Sequence, residues 1–153
     1  ATAREDNLPY PQRALRVDGF LYIRNFTPWR WPIGTLEKGL RDIDNGPTKS
    51  YFVRNHDNPE IQEEWALAFG KRPYEELYDL KEDPDQMHNV AGKKKYGTIL
   101  EQLSEQMDSV LRATGDPRIN TFDRMPYTIT NERLNKRQID VEKHFQKMME
   151  ESK

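Results

Sequence analysis

The sequence predicts an α+β fold, a small antiparallel sheet with one long helix packed on it, and three observations predict it. Asp18-Gly19 sits between two runs of β-branched and aromatic residues. A further strand-like run, Leu77-Tyr78-Asp79-Leu80, leads into Asp83-Pro84. Apolar residues then recur at three- and four-residue spacing through Ile99, Leu100, Leu103, Met107, Val110 and Leu111, the signature of an amphipathic helix.

In chain order, a β-hairpin is expected over about 12–26, because Asp-Gly supplies the positive φ angles of a tight two-residue turn. In its second strand Leu21 and Ile23 share one face, and Phe20, Tyr22, Arg24 and Phe26 share the other. Both faces are partly apolar, which suits a strand covered on each side, by a helix on one and another domain on the other. Residues 27–50 are expected to be irregular, since Pro28, Pro32, Gly34, Gly39, Gly46 and Pro47 interrupt any period. Loops of that length tend to be functional, disordered or docked on a partner.

Asn58-Pro59-Glu60 starts a shorter helix over about 59–69: Asn caps it, Pro lacks an N–H where none is needed, and the acid meets the positive dipole end. Ile61, Trp65, Ala68 and Phe69 form its apolar stripe, and Gly70 ends it. A third strand over about 75–80 is closed by the Asp83-Pro84-Asp85 turn. Lys93-Lys94-Lys95 reads as a solvated loop before the core-facing helix over about 98–114, which Gly115-Asp116-Pro117 stops. After an irregular stretch from Asn120 to Thr130, a C-terminal helix is expected over about 131–150, with Leu134, Val141, Phe145 and Met148 on one side.

A chain of 153 residues is sized for one domain. Hydrophobic residues are 35% and charged residues 33%, so the apolar side chains must be concentrated for the chain to fold, and they are. The 24 basic and 26 acidic residues nearly cancel, which gives no global electrostatic case for nucleic acid or a membrane surface. No cysteine means no disulfide, no thiol nucleophile and no thiolate metal site. No apolar stretch reaches the roughly 18 residues of a bilayer span. The start, Ala1-Thr2-Ala3-Arg4, has no signal-peptide shape and no initiator Met, which points to processing or truncation.

Asp79, Glu82, Asp83 and Asp85 invite a calcium reading, but the alternating ligands, central Gly and closing Glu of an EF-type loop are missing. The better reading is a polar turn whose Asp side chains bond local backbone N–H groups. His56, His88 and His144 lie in different elements without a metal-ligand pair at i, i+4, and no serine sits in a Gly-x-Ser-x-Gly elbow. No Gly-rich phosphate loop is present. No catalytic, cofactor-binding or metal-ligating residue is therefore assigned. Arg13, Arg16, Arg24 and Arg30, interleaved with Tyr22, Phe26, Trp29 and Trp31, remain as the candidate for binding an anion or a sugar ring. Guanidinium forks match sulfate and carboxylate, and aromatic faces pack on rings. The alternative, preferred over binding, is that the aromatics are core or docking residues and the arginines form ion pairs.

Several segments resemble the C-terminal part of the sulfatase family, within the alkaline-phosphatase-like superfamily. "RPYEELYDLKEDPDQMHNVAG" is similar to the family's closing signature, Glu-Leu-Tyr-Asp-Leu, a charged Asp-Pro turn and an Asn-x-Ala segment before the last helix. "REDNLPYPQRALRVDGFLYIRNFTPWRWPIG" resembles the first C-terminal hairpin of the heparan N-sulfatase, or sulfamidase-like, branch, and "GDPRINTFDRMPYT" that branch's closing stretch. The resemblance implies a subdomain over 1–130, a small sheet with a helix packed on it, followed by a helical extension over 131–153. It also implies a parent that hydrolyses sulfate esters or sulfamates with a formylglycine, made from Cys or Ser in a Cys/Ser-x-Pro-x-Arg motif, and calcium held by Asp and Asn. This chain has no Cys, and none of its serines begins Ser-x-Pro-x-Arg. No family catalytic residue carries over, and formylglycine and calcium are expected in the parent's catalytic domain.

The function expected is thus that of a sulfatase C-terminal subdomain, not catalytic alone. It packs on the catalytic domain of the same parent chain and shapes the rim of the substrate cleft through Arg13, Arg16, Arg24, Trp29, Arg30 and Trp31. The partner beyond that domain is a sulfated glycan such as heparan sulfate, with no nucleic acid and no membrane. By resemblance the location is periplasmic, extracellular or lysosomal-type. The alternative is an autonomous glycan- or protein-binding module without enzymatic activity.

Overall fold

A computed structural model describes residues 10–37, 39–40 and 43–119. The expected helix over about 131–150, the irregular stretch before it and the boundary at 130 lie outside these residues. The described part falls into two compact units, one built from Tyr10–Trp29 and residues 72–119, the other from residues 30–71.

The first unit is the expected sheet and helix. Strands β1 (Gln12–Val17), β2 (Phe20–Asn25) and β3 (Glu75–Asp79) form an antiparallel sheet in that order. Asp18 and Gly19 take φ of 49° and 83°, and Val17 pairs with Phe20, so the two-residue turn has the positive angles that match the strand twist. The register sets Leu15 opposite Tyr22 and Tyr22 opposite Leu77. These three side chains share one face by the period-two alternation.

Helix α3 (Gly97–Ala113) covers that face with Leu103, Met107 and Leu111, all buried, and Tyr22, Phe26, Leu77, Val90 and Tyr96 complete the cluster. The helix stop works as its sequence requires. Gly115 adopts φ of 64°, its N–H donates to Arg112 O at 3.2 Å, and Asp116 N–H donates to Leu111 O at 2.9 Å. This paired closure satisfies carbonyls the helix would otherwise leave bare. Only Val110 of the apolar set is turned out, at 39% exposure.

The outer edge of β3 is closed by the segment that follows it. Leu77 N–H donates to Asn89 Oδ1 at 2.9 Å, Asn89 Nδ2 to Glu75 O at 3.3 Å, and Val90 N–H to Leu77 O at 2.8 Å. A side-chain amide thus takes the place of a neighbouring strand and removes an exposed pairing edge.

The second unit corrects one expectation. Residues 27–50 are not irregular throughout, because a helix, α1 (Pro47–Arg54), begins at Pro47. The Gly46-Pro47 pair that reads as a breaker is here a helix entry, with Pro in the first turn where its missing N–H costs nothing. The shorter helix forms with a different start: Pro59–Ile61 is a 3₁₀ turn, capped by Asn58 Oδ1 accepting from Glu60 N–H at 3.0 Å, and α2 runs from Gln62 to Phe69. Phe69 is buried and Ala68, expected in the stripe, is exposed.

Leu40, Val53 and Phe69 form this unit's own core, with Ile33, Leu36, Ile43, Phe52 and Trp65 packed around them. Lys49 organises the loop from inside. Its buried ammonium donates to Leu40 O and Ile43 O at 3.1 Å and to Asn45 Oδ1 at 3.2 Å, one acceptor for each hydrogen. Burial lowers its pKa from the ordinary value, and the nearby Asp44 carboxylate opposes that.

Candidate functional site

The acidic turn is architecture. Asp79 Oδ1 accepts from Lys81 N–H at 3.2 Å and Glu82 N–H at 3.4 Å, while Asp83 accepts from Met87 N–H at 3.1 Å and His88 N–H at 2.7 Å. Asp83 spends both oxygens on the backbone that folds the turn and Asp79 spends Oδ1 there, as the polar-turn reading expects, while Asp79 Oδ2 accepts from Tyr96 OH at 3.1 Å. Among the described residues no three His, Asp or Glu side chains converge where a metal could be held.

These bonds carry a pH consequence. The His88 and Met87 N–H groups hold the Asp83 carboxyl below its ordinary value. At Asp116 burial pushes up, but Arg13 and the Arg118 N–H outweigh it and the net shift is downward. Carboxyls lowered in the folded state bind fewer protons than in the unfolded chain, so stability rises with pH through this range. Their contribution is complete above the unfolded carboxyl pKa of about 4 and is lost as pH falls through the lower folded values. Urea midpoints measured between pH 7 and pH 2.5 should therefore fall on acidification, and Asp116→Asn should flatten part of that fall; an unchanged slope would contradict it.

The candidate arginines and tryptophans divide by environment. Arg24 is 5% exposed, beneath α3. Its guanidinium donates to Asp108 Oδ1, to Ser104 O at 2.9 Å, to Ser104 Oγ at 2.8 Å and to Tyr22 OH at 3.0 Å. Burial disfavours its charge, but Asp108 and Tyr22 outweigh that and raise its pKa. Tyr22 in turn donates to Glu75 Oε1 at 2.5 Å, and burial followed by that carboxylate pushes its phenol up to about 12. Arg13 donates from Nε to Asp116 Oδ2 at 2.6 Å. Phe26 is 2% exposed and belongs to the core.

Arg16 is exposed and Arg30 is half-buried. Trp29 is 59% exposed and Trp31 40%. Within the second unit, Lys71 Nζ lies 5.2 Å from the centroid of the Trp31 ring, a cation–π pair that joins the two ends of the 30–71 segment. Sequence reasoning missed Lys71, because nothing in spacing or periodicity links it to a residue forty positions earlier.

The opposite sheet face also holds what no pattern announced. Gln12 Nε2 donates to Asn25 Oδ1 at 2.6 Å, Asn25 Nδ2 to Glu76 Oε1 at 2.6 Å, and Tyr78 OH to Glu76 Oε2 at 2.6 Å. Glu76 is 5% exposed, and its two oxygens are satisfied within the sheet, the condition for burying a carboxylate at tolerable cost.

No family model matches the chain. It is 34% identical over 107 residues to an ulvan-active sulfatase of Formosa agariphila, covering 70% of this chain and 18% of that protein. A second ulvan-active sulfatase of the same organism is 33% identical over 108 residues, covering 68% and 17%. An uncharacterized protein of Haemophilus influenzae is 27% identical over 72 residues, covering 47% and 37%. The chain thus spans roughly a fifth of the length of the ulvan-active relatives. No helix among the described residues is long and apolar enough to cross a membrane.

Proposed function

We propose, on the premise that homologues named ulvan-active sulfatases cover about 70% of this chain, that it is the C-terminal subdomain of a sulfatase-like hydrolase. That homology supports a sulfatase C-terminal region and is the observation that carries the reading. In the parent, this portion packs on the catalytic domain and shapes the rim of the cleft, and the chemistry is hydrolysis of a sulfate ester or sulfamate. The sequence does not fit the formylglycine of that chemistry, and among the described residues none form a site for its calcium. Neither precursor motif is present, and Asp79 and Asp83 of the acidic turn are engaged with its backbone N–H groups. In this reading both groups sit in the catalytic domain of the parent.

The exposed members of the candidate cluster, Arg16, Trp29 and Trp31, are the rim contacts proposed, with Arg30 beside them in sequence. Arg13 and Arg24 serve the subdomain's own structure through Asp116 and Asp108. The substrate class is a sulfated glycan; the sequence resemblance offers heparan sulfate and the relatives' names offer ulvan. A periplasmic, extracellular or lysosomal-type location goes with that class.

Assayed alone with calcium, the chain should hydrolyse neither an aryl sulfate nor N-sulfoglucosamine. Turnover above the uncatalysed rate that survives repurification would sink the proposal. Deleting the matching segment from the Formosa agariphila relative should abolish its activity on ulvan, and full activity without it would argue equally against a role at the cleft.

A further inference from the structure

The pair formed by Trp31 and Lys71 offers more chemistry than a structural clasp uses. The ammonium sits over the indole at 5.2 Å, and Trp31 still keeps 40% of its surface exposed. Lys71 is itself exposed, and among the described residues no carboxylate lies within ion-pair distance of it. A surface lysine serving solubility alone has no need of a fixed position, since its long stem has rotamer freedom to lose. Here the ammonium rests over the ring, so a cation that pairs with no carboxylate among the described residues stands beside a partly exposed indole. Two different contacts are therefore available to one ligand: an anion for the ammonium, and a C–H-rich face for the indole.

We propose that Lys71 and Trp31 together read a sulfate group on a sugar ring of the glycan chain, Lys71 pairing with the sulfate while Trp31 packs against the ring. This rests on the rim reading above and deepens it. It names a residue outside the original cluster and separates the two roles: the ammonium discriminates sulfated from unsulfated sugar, and the indole supplies affinity for either. A charge-assisted bond to a sulfate oxygen is the stronger and more selective of the two. Because Lys presents a point charge and not a planar fork, an Arg in its place should still pair with the sulfate.

The test is calorimetric titration of the 153-residue chain with an ulvan oligosaccharide and a heparin oligosaccharide of defined length, each also in desulfated form. Lys71→Gln should weaken binding of a sulfated sugar about tenfold and leave the desulfated one unchanged, as loss of one charge-assisted contact predicts. Lys71→Arg should bind the sulfated sugar nearly as the wild type does, and Trp31→Ala should weaken both forms. If Lys71→Gln binds like the wild type while Trp29→Ala or Arg16→Gln binds less well, the inference is wrong and the rim reading stands. Equal loss on sulfated and desulfated sugars would show that Lys71 only steadies the ring, overturning the sulfate assignment. If the wild type binds none of the four sugars, the rim reading fails and the inference falls with it.

Discussion

Leu77→Ala is expected to lower the unfolding free energy of the sheet unit by about 3 kcal/mol, within the range for leucine truncations in well-packed cores. The physical ground is its place in the sheet. Leu77 is fully buried, lies opposite Tyr22 in the register and belongs to the cluster that α3 covers through Leu103, Met107 and Leu111. Removing three heavy side-chain atoms forfeits their transfer free energy, and it leaves a void that a sheet on one side and a helix on the other cannot easily collapse to fill. Its backbone is doubly tied as well, with N–H to Asn89 and C=O from Val90, so relaxation of the strand toward the cavity would break the closure of the β3 edge. Urea unfolding followed by amide exchange in α3 reads this unit directly. A loss under about 1 kcal/mol would mean the core tolerates the void, and the packing described here would be wrong.

Asp108→Ala should cost nearly as much, about 2–4 kcal/mol, because it strips a buried cation of its carboxylate. Arg24 is 6% exposed at its side chain and Asp108 34%, so the carboxylate gave up part of its hydration while the guanidinium gave up nearly all. After the substitution Arg24 keeps Ser104 and Tyr22 as acceptors but loses the carboxylate that contacts it directly. The cost should shrink when both partners become apolar: Arg24→Met with Asp108→Leu should lie within about 1–2 kcal/mol of wild type, since replacing a whole buried pair is often close to neutral. A double-mutant cycle over the two positions isolates the coupling. If Asp108→Ala is silent, the pair is a surface contact and Arg24 returns to the pool of candidate ligand-binding residues.

The contrast between these residues and the exposed ones shows how far the sequence could be read. Arg13, Arg16 and Arg24 are alike in composition and share one strand-turn-strand segment, and alternation puts Arg24 on the Tyr22 face. What it cannot say is that Asp108 and Ser104, eighty residues away, arrive over that face when α3 docks. The same holds for Glu76, which reads as an ordinary strand acid and is in fact buried between Asn25 and Tyr78. Among local features, Asp18-Gly19, the Asn58 cap and the Gly115 stop behave as their chemistry requires, because each depends on neighbours within a few positions. The helix at Pro47 was missed for the opposite reason. Its eight residues carry a weak apolar pattern, and its stability comes from Val53 and Phe52 packing on Phe69 and from Lys49 holding the preceding loop.

Sequence alone therefore determined the hairpin, the third strand and the long helix with its apolar stripe, since turn angles, alternation and 3.6-residue spacing are local properties of the chain. Tertiary structure decided which charges are spent. Whether an arginine is an ion-pair partner or a ligand contact depends on what lies within about 4 Å of it after folding, and packing brings that neighbour from any distance along the chain. Arg24 went to Asp108 and Arg13 to Asp116, while Trp31 kept an open surface beside Lys71.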